Sequence, residues 1–419
     1  MNSTVIRAAI AGIGGFGESH HQSMLYLEKE RRAKVLATCD PRADALRNLG
    51  EKYQFAERGV RVYTGFEELL TQHGNQLDLI NVSTPIRLHA PMHAACVARG
   101  IPCYLEKPPT LDPDELRVMI GRDLHARKAT QVGFIYIAQP ERIELKRQIL
   151  SGVFGRLLRV TFQGLGMRSH AYYNRNNWAG RLAIGDDLVL DSCCGNAMAH
   201  HIHNILFFAG QTEVMDWAAP VRVEAELYRA NDIEGADTIF ARGELENGVE
   251  FRIAATHACE GVLCEETLTF EKGEIKILPW ERKISLHCGG CHEVLETGEA
   301  SLTENLGIYF DYLEGRSPRP LTLLSDCLPI VDLNALFYIA AAKIVSVRDP
   351  HRLTVELEQA STKAEVITGI EEVCSAFIQE ARFPSDAGVG WAVRGGRADI
   401  GDLQNLRQSV DTIRGKSSD

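Results

Sequence analysis

Through the first part of the chain, short apolar runs bounded by turn residues alternate with stretches whose apolar positions recur at helical spacing. Residues 5–11 run into a glycine cluster, 34–39 stop at Asp40, 77–82 stop at Ser83-Thr84-Pro85, and 101–105 stop at Glu106-Lys107-Pro108. Residues 89–99 carry a helical pattern that Gly100 terminates. Strand and helix alternating at this spacing predict a doubly wound parallel sheet with right-handed crossovers, an α/β Rossmann domain over residues 1–135. Ligands of such a sheet gather beyond the carboxyl ends of its strands, where Gly14, Asp40, Thr84 and Lys107 should all lie.

Beyond residue 135 the period changes. Residues 139–150 read as a helix and 157–162 as a strand. Val221, Val223, Ala225 and Leu227 then alternate with polar neighbours at period two, and similar runs cover 237–245, 249–257, 266–270, 274–278 and 283–287. This predicts an α+β domain over 136–345 with an open, largely antiparallel sheet, closed by an apolar core helix over 328–344. Residues 346–419 are expected to form a mainly helical extension, including one helix over 356–380, ending in a polar tail at 414–419 that need not fold.

Among these elements, the turn Gly12-Ile13-Gly14-Gly15-Phe16-Gly17 has the spacing of a phosphate-binding loop. Gly12 permits the tight turn, Gly14 lets the backbone approach a pyrophosphate, and Gly17 allows close packing of helix on strand. Asp40, at the end of the second run, stands where an acid accepts hydrogen bonds from an adenosine ribose; it disfavours a 2′-phosphate, so NAD is expected ahead of NADP. Arg42 keeps NADP open, because a guanidinium can pair with a phosphate. Gly12, Gly14, Gly15, Phe16, Gly17, Asp40, Arg42, Ser83, Thr84, Pro85, His89, Glu106 and Lys107 form the expected cofactor-binding set.

Lys107 is also a candidate for chemistry, since an ammonium beside a substrate hydroxyl orients it and stabilises negative charge developing on oxygen. A second candidate lies in the run 190–208, read as one helix capped by Asp191 or Ser192. There Asn196, His200 and Asn204 recur every four residues on an otherwise apolar helix, a costly arrangement unless it meets something polar. Just upstream, residues 172–181 are rich in aromatic and amide side chains suited to a polyol, with Trp178 and Arg181 the expected contacts.

The glycine turn, Thr84-Pro85 with His89 four residues later, and Glu106-Lys107-Pro108 together resemble the glucose-fructose oxidoreductase, inositol dehydrogenase and rhizopine-catabolism (Gfo/Idh/MocA) family. The resemblance implies an NAD- or NADP-dependent oxidoreductase that moves a hydride between nicotinamide and a hydroxyl or carbonyl carbon of a sugar, inositol or related polyol. By motif match Lys107 contacts substrate. His200 matches the family's general acid/base, and Asn196 falls where the family has an aspartate, so it supplies no charge to an imidazolium; Asp191 is the acid nearest in sequence. Asp191, Asn196 and Asn204 join Trp178 and Arg181 as expected substrate contacts. The resemblance also implies a homo-oligomer, dimer or tetramer, built on the second domain's sheet. Two alternatives share the fold: a non-catalytic dinucleotide-binding regulator, and a redox-neutral NAD-dependent glycoside-cleaving enzyme.

The formal net charge of −11 argues against nucleic acid as a partner. No run approaches the ~20 apolar residues that span a bilayer, and the start of the chain lacks a basic-then-apolar leader, so a cytoplasmic protein without a membrane partner is expected. Eleven cysteines, many inside apolar runs, read as buried hydrophobes of a reducing compartment. Cys288-Gly289-Gly290-Cys291-His292 reads as a Gly-Gly turn between strands. No metal is expected.

Overall fold

The computed structural model describes residues 5–358 and 361–416, and the chain divides into two compact units. The last three residues of the expected polar tail lie outside the described residues. Unit 1 comprises residues 1–110, 114–139 and 300–327; unit 2 comprises 111–113, 140–299 and 328–419.

Unit 1 holds β1 (Ile6–Ala11), α1 (Gly17–Lys29), β2 (Ala33–Cys39), β3 (Arg61–Tyr63), β4 (Leu79–Val82), α2 (His89–Ala98), β5 (Cys103–Leu105) and β6 (Gln131–Val132). The six strands form one parallel sheet in the order β3-β2-β1-β4-β5-β6. The order reverses at β1, and the crevice at such a switch point is where a dinucleotide binds. β1 and β4 are almost wholly buried, which is why their runs read as continuously apolar.

One segment departs from the expected boundaries. The helix Leu302–Leu313 belongs to unit 1, where Leu302, Leu306, Tyr309 and Phe310 join Met24 and Leu27 of α1 in one core. The first domain is therefore not continuous in sequence. Tyr104 Oη donates to Asn305 Oδ1 at 2.9 Å and Arg32 pairs with Asp311 at 2.6 Å, pinning that helix in place.

Unit 2 is built on α3 (Pro140–Leu150), β7 (Leu157–Leu165), α4 (Ala199–Ala209), β8 (Pro220–Arg229), β9 (Thr238–Leu245), β10 (Glu250–Thr256), β11 (Leu263–Phe270), β12 (Gly273–Leu278), β13 (Lys283–Cys288) and β14 (Cys291–Glu296). It continues with α5 (Leu328–Ala341), β15 (Ile344–Ser346), β16 (Arg352–Leu357), β17 (Thr362–Ile367), α6 (Ile370–Glu380), β18 (Gly396–Asp399) and α7 (Leu406–Ile413). The main sheet is mixed and largely antiparallel, in the order β14-β13-β12-β11-β7-β10-β9-β8-β15, with β18 also paired to β8.

The described residues of 346–419 are part of unit 2 rather than a separate extension, and they are not mainly helical. The predicted helix over 356–380 is an antiparallel β16–β17 pair followed by α6. The apolar Ala364 and Val366 alternate with the polar Lys363 and Glu365, a strand signal that the longer helical reading overrode.

Adjacent residues of β7 show how the sheet is covered. Phe162 stacks on His201 of α4 with ring centroids 5.3 Å apart, while Gln163 donates to Ser375 of α6 at 2.9 Å. Successive strand residues point to opposite faces, so α4 and α6 lie on opposite faces. Cys374 and Phe377 of α6 share a core with Leu165, Phe240 and Ala254. The face of the sheet that carries Leu165, Phe240 and Ala254 is thus covered by the chain's own helix α6.

Candidate active site

In unit 1 the glycine turn follows from steric necessity. Gly12 has φ +104°, and a Cβ there would sit 2.6 Å from the Ser83 carbonyl oxygen. A Cβ on Gly17 would lie 2.5 Å from the Gly12 carbonyl oxygen. Neither position admits a side chain, so α1 starts tight against the sheet. Gly14 has Leu46 at 3.3 Å from its virtual Cβ, and Gly15, at φ +60°, faces open space. No side chain caps the N-terminus of α1, where Phe16 is exposed, leaving that positive end suited to an anion. This cradle fits a dinucleotide pyrophosphate.

Asp40 is buried and braces the turn. Its Oδ2 accepts from the Ile13 amide at 3.1 Å, and its Oδ1 from the Arg42 amide at 2.8 Å. The Arg42 guanidinium is exposed, 3.9 Å from the Asp40 carboxylate. Ser83 closes the neighbouring loop through its Oγ, which donates to the Ala11 carbonyl at 2.9 Å.

His89 has a different role from the one its spacing suggested. Its ring is buried, with Nδ1 3.0 Å from the Pro108 carbonyl and 3.2 Å from that of Pro109, and Nε2 2.9 Å from the Thr84 carbonyl. Burial pulls its pKa down against the pull of those carbonyls. The ring ties the Thr84-Pro85 loop to the segment after Lys107, and it positions these loops rather than presenting itself to a ligand.

Glu106 is likewise turned inward. Its Oε1 lies 2.8 Å from Nε2 of His20, both groups buried, and its Oε2 accepts from the Lys107 amide at 3.2 Å. His20 was not among the expected residues; its place three residues after Gly17, on the inner face of α1, was the available signal. Lys107, half-buried just past β5, is thereby held from α1 through Glu106 and flanked by the His89 clamp.

In unit 2 the predicted single helix is two pieces. Ser192 Oγ accepts from the Gly195 amide at 2.8 Å, residues Cys193–Ala197 form a π-helical turn, and α4 begins only at Ala199. The wider turn changes the register, so Asn196 does not continue the His200–Asn204 stripe. Asn196 donates to Asp191 Oδ1 at 3.0 Å. Asp191 is buried and also accepts from the Gly180 amide at 2.6 Å. It follows Leu190, which holds φ +48°, a costly conformation for a leucine. A carboxylate thus lies five residues before position 196, with that asparagine donating to it.

Asn204 is engaged within unit 2 through its amide nitrogen. It is buried, and its Nδ2 donates to Oε1 of Glu266 at 2.9 Å. The same oxygen lies 2.8 Å from His201 Nδ1, and Glu266 Oε2 accepts from Arg142 at 2.6 Å. This buried network fixes α4 to α3 and β11. His203 packs on Trp217 with ring centroids 5.0 Å apart, and burial drives its pKa down to about 3. His200 is half-buried at the start of α4.

The aromatic segment forms the wall of a narrow cleft with Asp191, Ser192 and His257, through Tyr172 and Tyr173. Tyr173 Oη lies 3.1 Å from His257 Nδ1, and Arg175 stacks on Tyr172 at 3.6 Å. His257 was missed in the sequence because it ends an ordinary alternating strand. Trp178 is half-buried with Arg175 5.3 Å from its ring, and Arg181 is exposed, 3.5 Å from Glu234. A larger cavity of about 310 Å³, lined by Glu224, Glu226, Asp386, Arg394 and Arg397, holds none of the expected residues.

The sheet order and glycine cradle define a Rossmann-type dinucleotide-binding protein carrying a second, sheet-based unit. Residues 6–134 match the family model described as "Oxidoreductase family, NAD-binding Rossmann fold", and this segment is similar to proteins of the Gfo/Idh/MocA family. Inositol 2-dehydrogenase 4 of Saccharopolyspora erythraea is 31% identical over 159 residues, 38% of this chain and 45% of that protein. D-glucoside 3-dehydrogenase of Escherichia coli is 26% identical over 165 residues, 39% of this chain and 45% of that protein. The chain thus matches less than half the length of these curated relatives. The WlbA dehydrogenase of Bordetella pertussis, solved with NADH and UDP-GlcNAcA, shares the fold with a TM-score of 0.66 at 19% identity, over 80% of this chain and 96% of that one. Among the described residues no helix is long and apolar enough to cross a membrane.

Proposed function

We propose that the chain is an NAD-dependent dehydrogenase acting on a CH–OH carbon of a sugar, inositol or related polyol. The observation that carries the reading is the placement of Lys107. It stands at the carboxyl edge of the parallel sheet in the segment matched to the NAD-binding family, with its backbone fixed by the buried His20–Glu106 pair. The names of the inositol, glucoside and UDP-sugar relatives support the substrate class.

Gly12, Gly14, Gly15, Gly17 and the open end of α1 would hold the pyrophosphate, and Asp40 the adenosine ribose. Asp40 favours NAD over NADP. The nicotinamide, when bound, supplies the hydride chemistry. Lys107 donates a hydrogen bond to the reacting oxygen and stabilises charge developing there, and His200 takes or gives the hydroxyl proton. Asp191, oriented by Asn196, binds substrate hydroxyls beside Tyr172 and Trp178.

Assembly into a dimer or tetramer and a cytoplasmic location belong to the same proposal. Sedimentation velocity reads the assembly. The test of activity is reduced-nicotinamide absorbance with NAD and a panel of inositols, aldoses and sugar acids. One compound should yield NADH, and Lys107→Met and His200→Ala should each lower turnover by orders of magnitude while NAD still binds. Near-normal turnover in Lys107→Met would overturn the assignment. Tight NAD binding with no panel member oxidised would favour a regulator or a redox-neutral enzyme.

A further inference from the structure

The hairpin β13–β14 ends the ten-stranded sheet, and its tip carries two cysteines unlike the rest. Nine of the eleven cysteines are buried, whereas Cys288 is half-buried and Cys291 exposed. Burial also pushes the thiols of Cys39 and Cys259 up to about 12, far from the thiolate form that reacts. The accessible pair is also a facing pair. Cys288 and Cys291 are direct register partners across Gly289-Gly290, whose φ values of +58° and +83° are those of a type I′ turn.

Facing residues of an antiparallel pair have Cα atoms about 4.5–5.5 Å apart. That lies inside the range of about 4.4–6.8 Å that a disulfide bridges. The two side chains leave the same face of the hairpin. Those of His287 and His292, the next register pair, leave the other, with rings stacked at 4.0 Å. Approach is open: a Cβ on either turn glycine would meet nothing within 4 Å, and every residue of β14 is exposed.

We propose that Cys288 and Cys291 form a reversible dithiol site that exchanges with small-molecule disulfides. The Cys291 thiolate attacks one sulfur of the reagent, forming a mixed disulfide and expelling one thiolate, which takes up a proton. The Cys288 thiolate then attacks Cys291 Sγ, breaking the mixed disulfide, forming the Cys288–Cys291 bond and releasing the second thiol. The protein loses two hydrogens and two electrons, and the reagent's disulfide gains them. Because the closed loop is so short, the bond gains little from chain entropy and added thiol reverses it.

The test is to incubate the folded full-length protein with oxidised glutathione and map the products by mass spectrometry. The expected result is loss of two hydrogens from the tryptic peptide 284–316, restored by dithiothreitol, with the other nine cysteines unmodified. Cys288→Ser, which lacks the resolving thiol, should accumulate glutathione on Cys291. Persistent glutathione on Cys291 of the wild-type chain, absence of reaction, or prior modification of another cysteine would each overturn the proposal. The readout uses neither NAD nor a polyol, so it stands or falls apart from the dehydrogenase reading.

Discussion

Replacing Glu266 by glutamine should unfold unit 2 far more readily than any surface change, by about 3–5 kcal/mol, because it leaves the buried Arg142 charge uncompensated. The magnitude can also be worked from the carboxylate. Burial pushes the Glu266 pKa up, but the Arg142 charge and the His201 hydrogen bond overcome it and bring it from 4.5 to about 2. At about 1.4 kcal/mol per pH unit, that difference corresponds to about 3 kcal/mol. The folded pKa is depressed, so this contribution is complete above about pH 4.5 and is lost as pH falls toward 2. Glutamine keeps the shape but turns an NH2 group toward donors from Arg142, His201 or Asn204. Urea unfolding followed by tryptophan fluorescence is the assay, since Trp178, Trp217, Trp280 and Trp391 all lie in unit 2. A Glu266→Gln loss under about 1 kcal/mol would refute the reasoning. The double variant Arg142→Met/Glu266→Leu should recover most of the loss, because an apolar pair carries no stranded charge.

His203 and His257 are held neutral by burial, each with its pKa lowered from 6.5 to about 3. The unfolded chain binds their protons first, so unit 2 should lose about 2.7 kcal/mol per pH unit as pH falls below about 6.5. Fluorescence-monitored urea midpoints that stay level from pH 7 to 5 would count against that burial. In unit 1, Gly12→Ala forces a methyl group into the Ser83 carbonyl at a positive φ. It should weaken NADH binding at least tenfold by fluorescence titration, and unchanged affinity would dissociate this turn from the cofactor.

Much of this protein was legible in its sequence because the deciding interactions are local. The phosphate turn is set by backbone sterics at Gly12 and Gly17, the strands of unit 1 by unbroken apolar runs, and the Cys288–Cys291 turn by two glycines that accept positive φ. The tertiary structure alone decided the partners of polar groups far apart along the chain. Asn204 meets Glu266 and His20 meets Glu106 only after folding, and each meeting turns a candidate ligand contact or an unremarked histidine into a scaffold element. A π-helical turn redirected Asn196 to Asp191, a shift that period counting assumes away. The return of Leu302–Leu313 to unit 1 and the placing of α6 on the sheet were equally hidden. An apolar face announces that it must be covered, but which segment covers it depends on shape and chain reach in three dimensions.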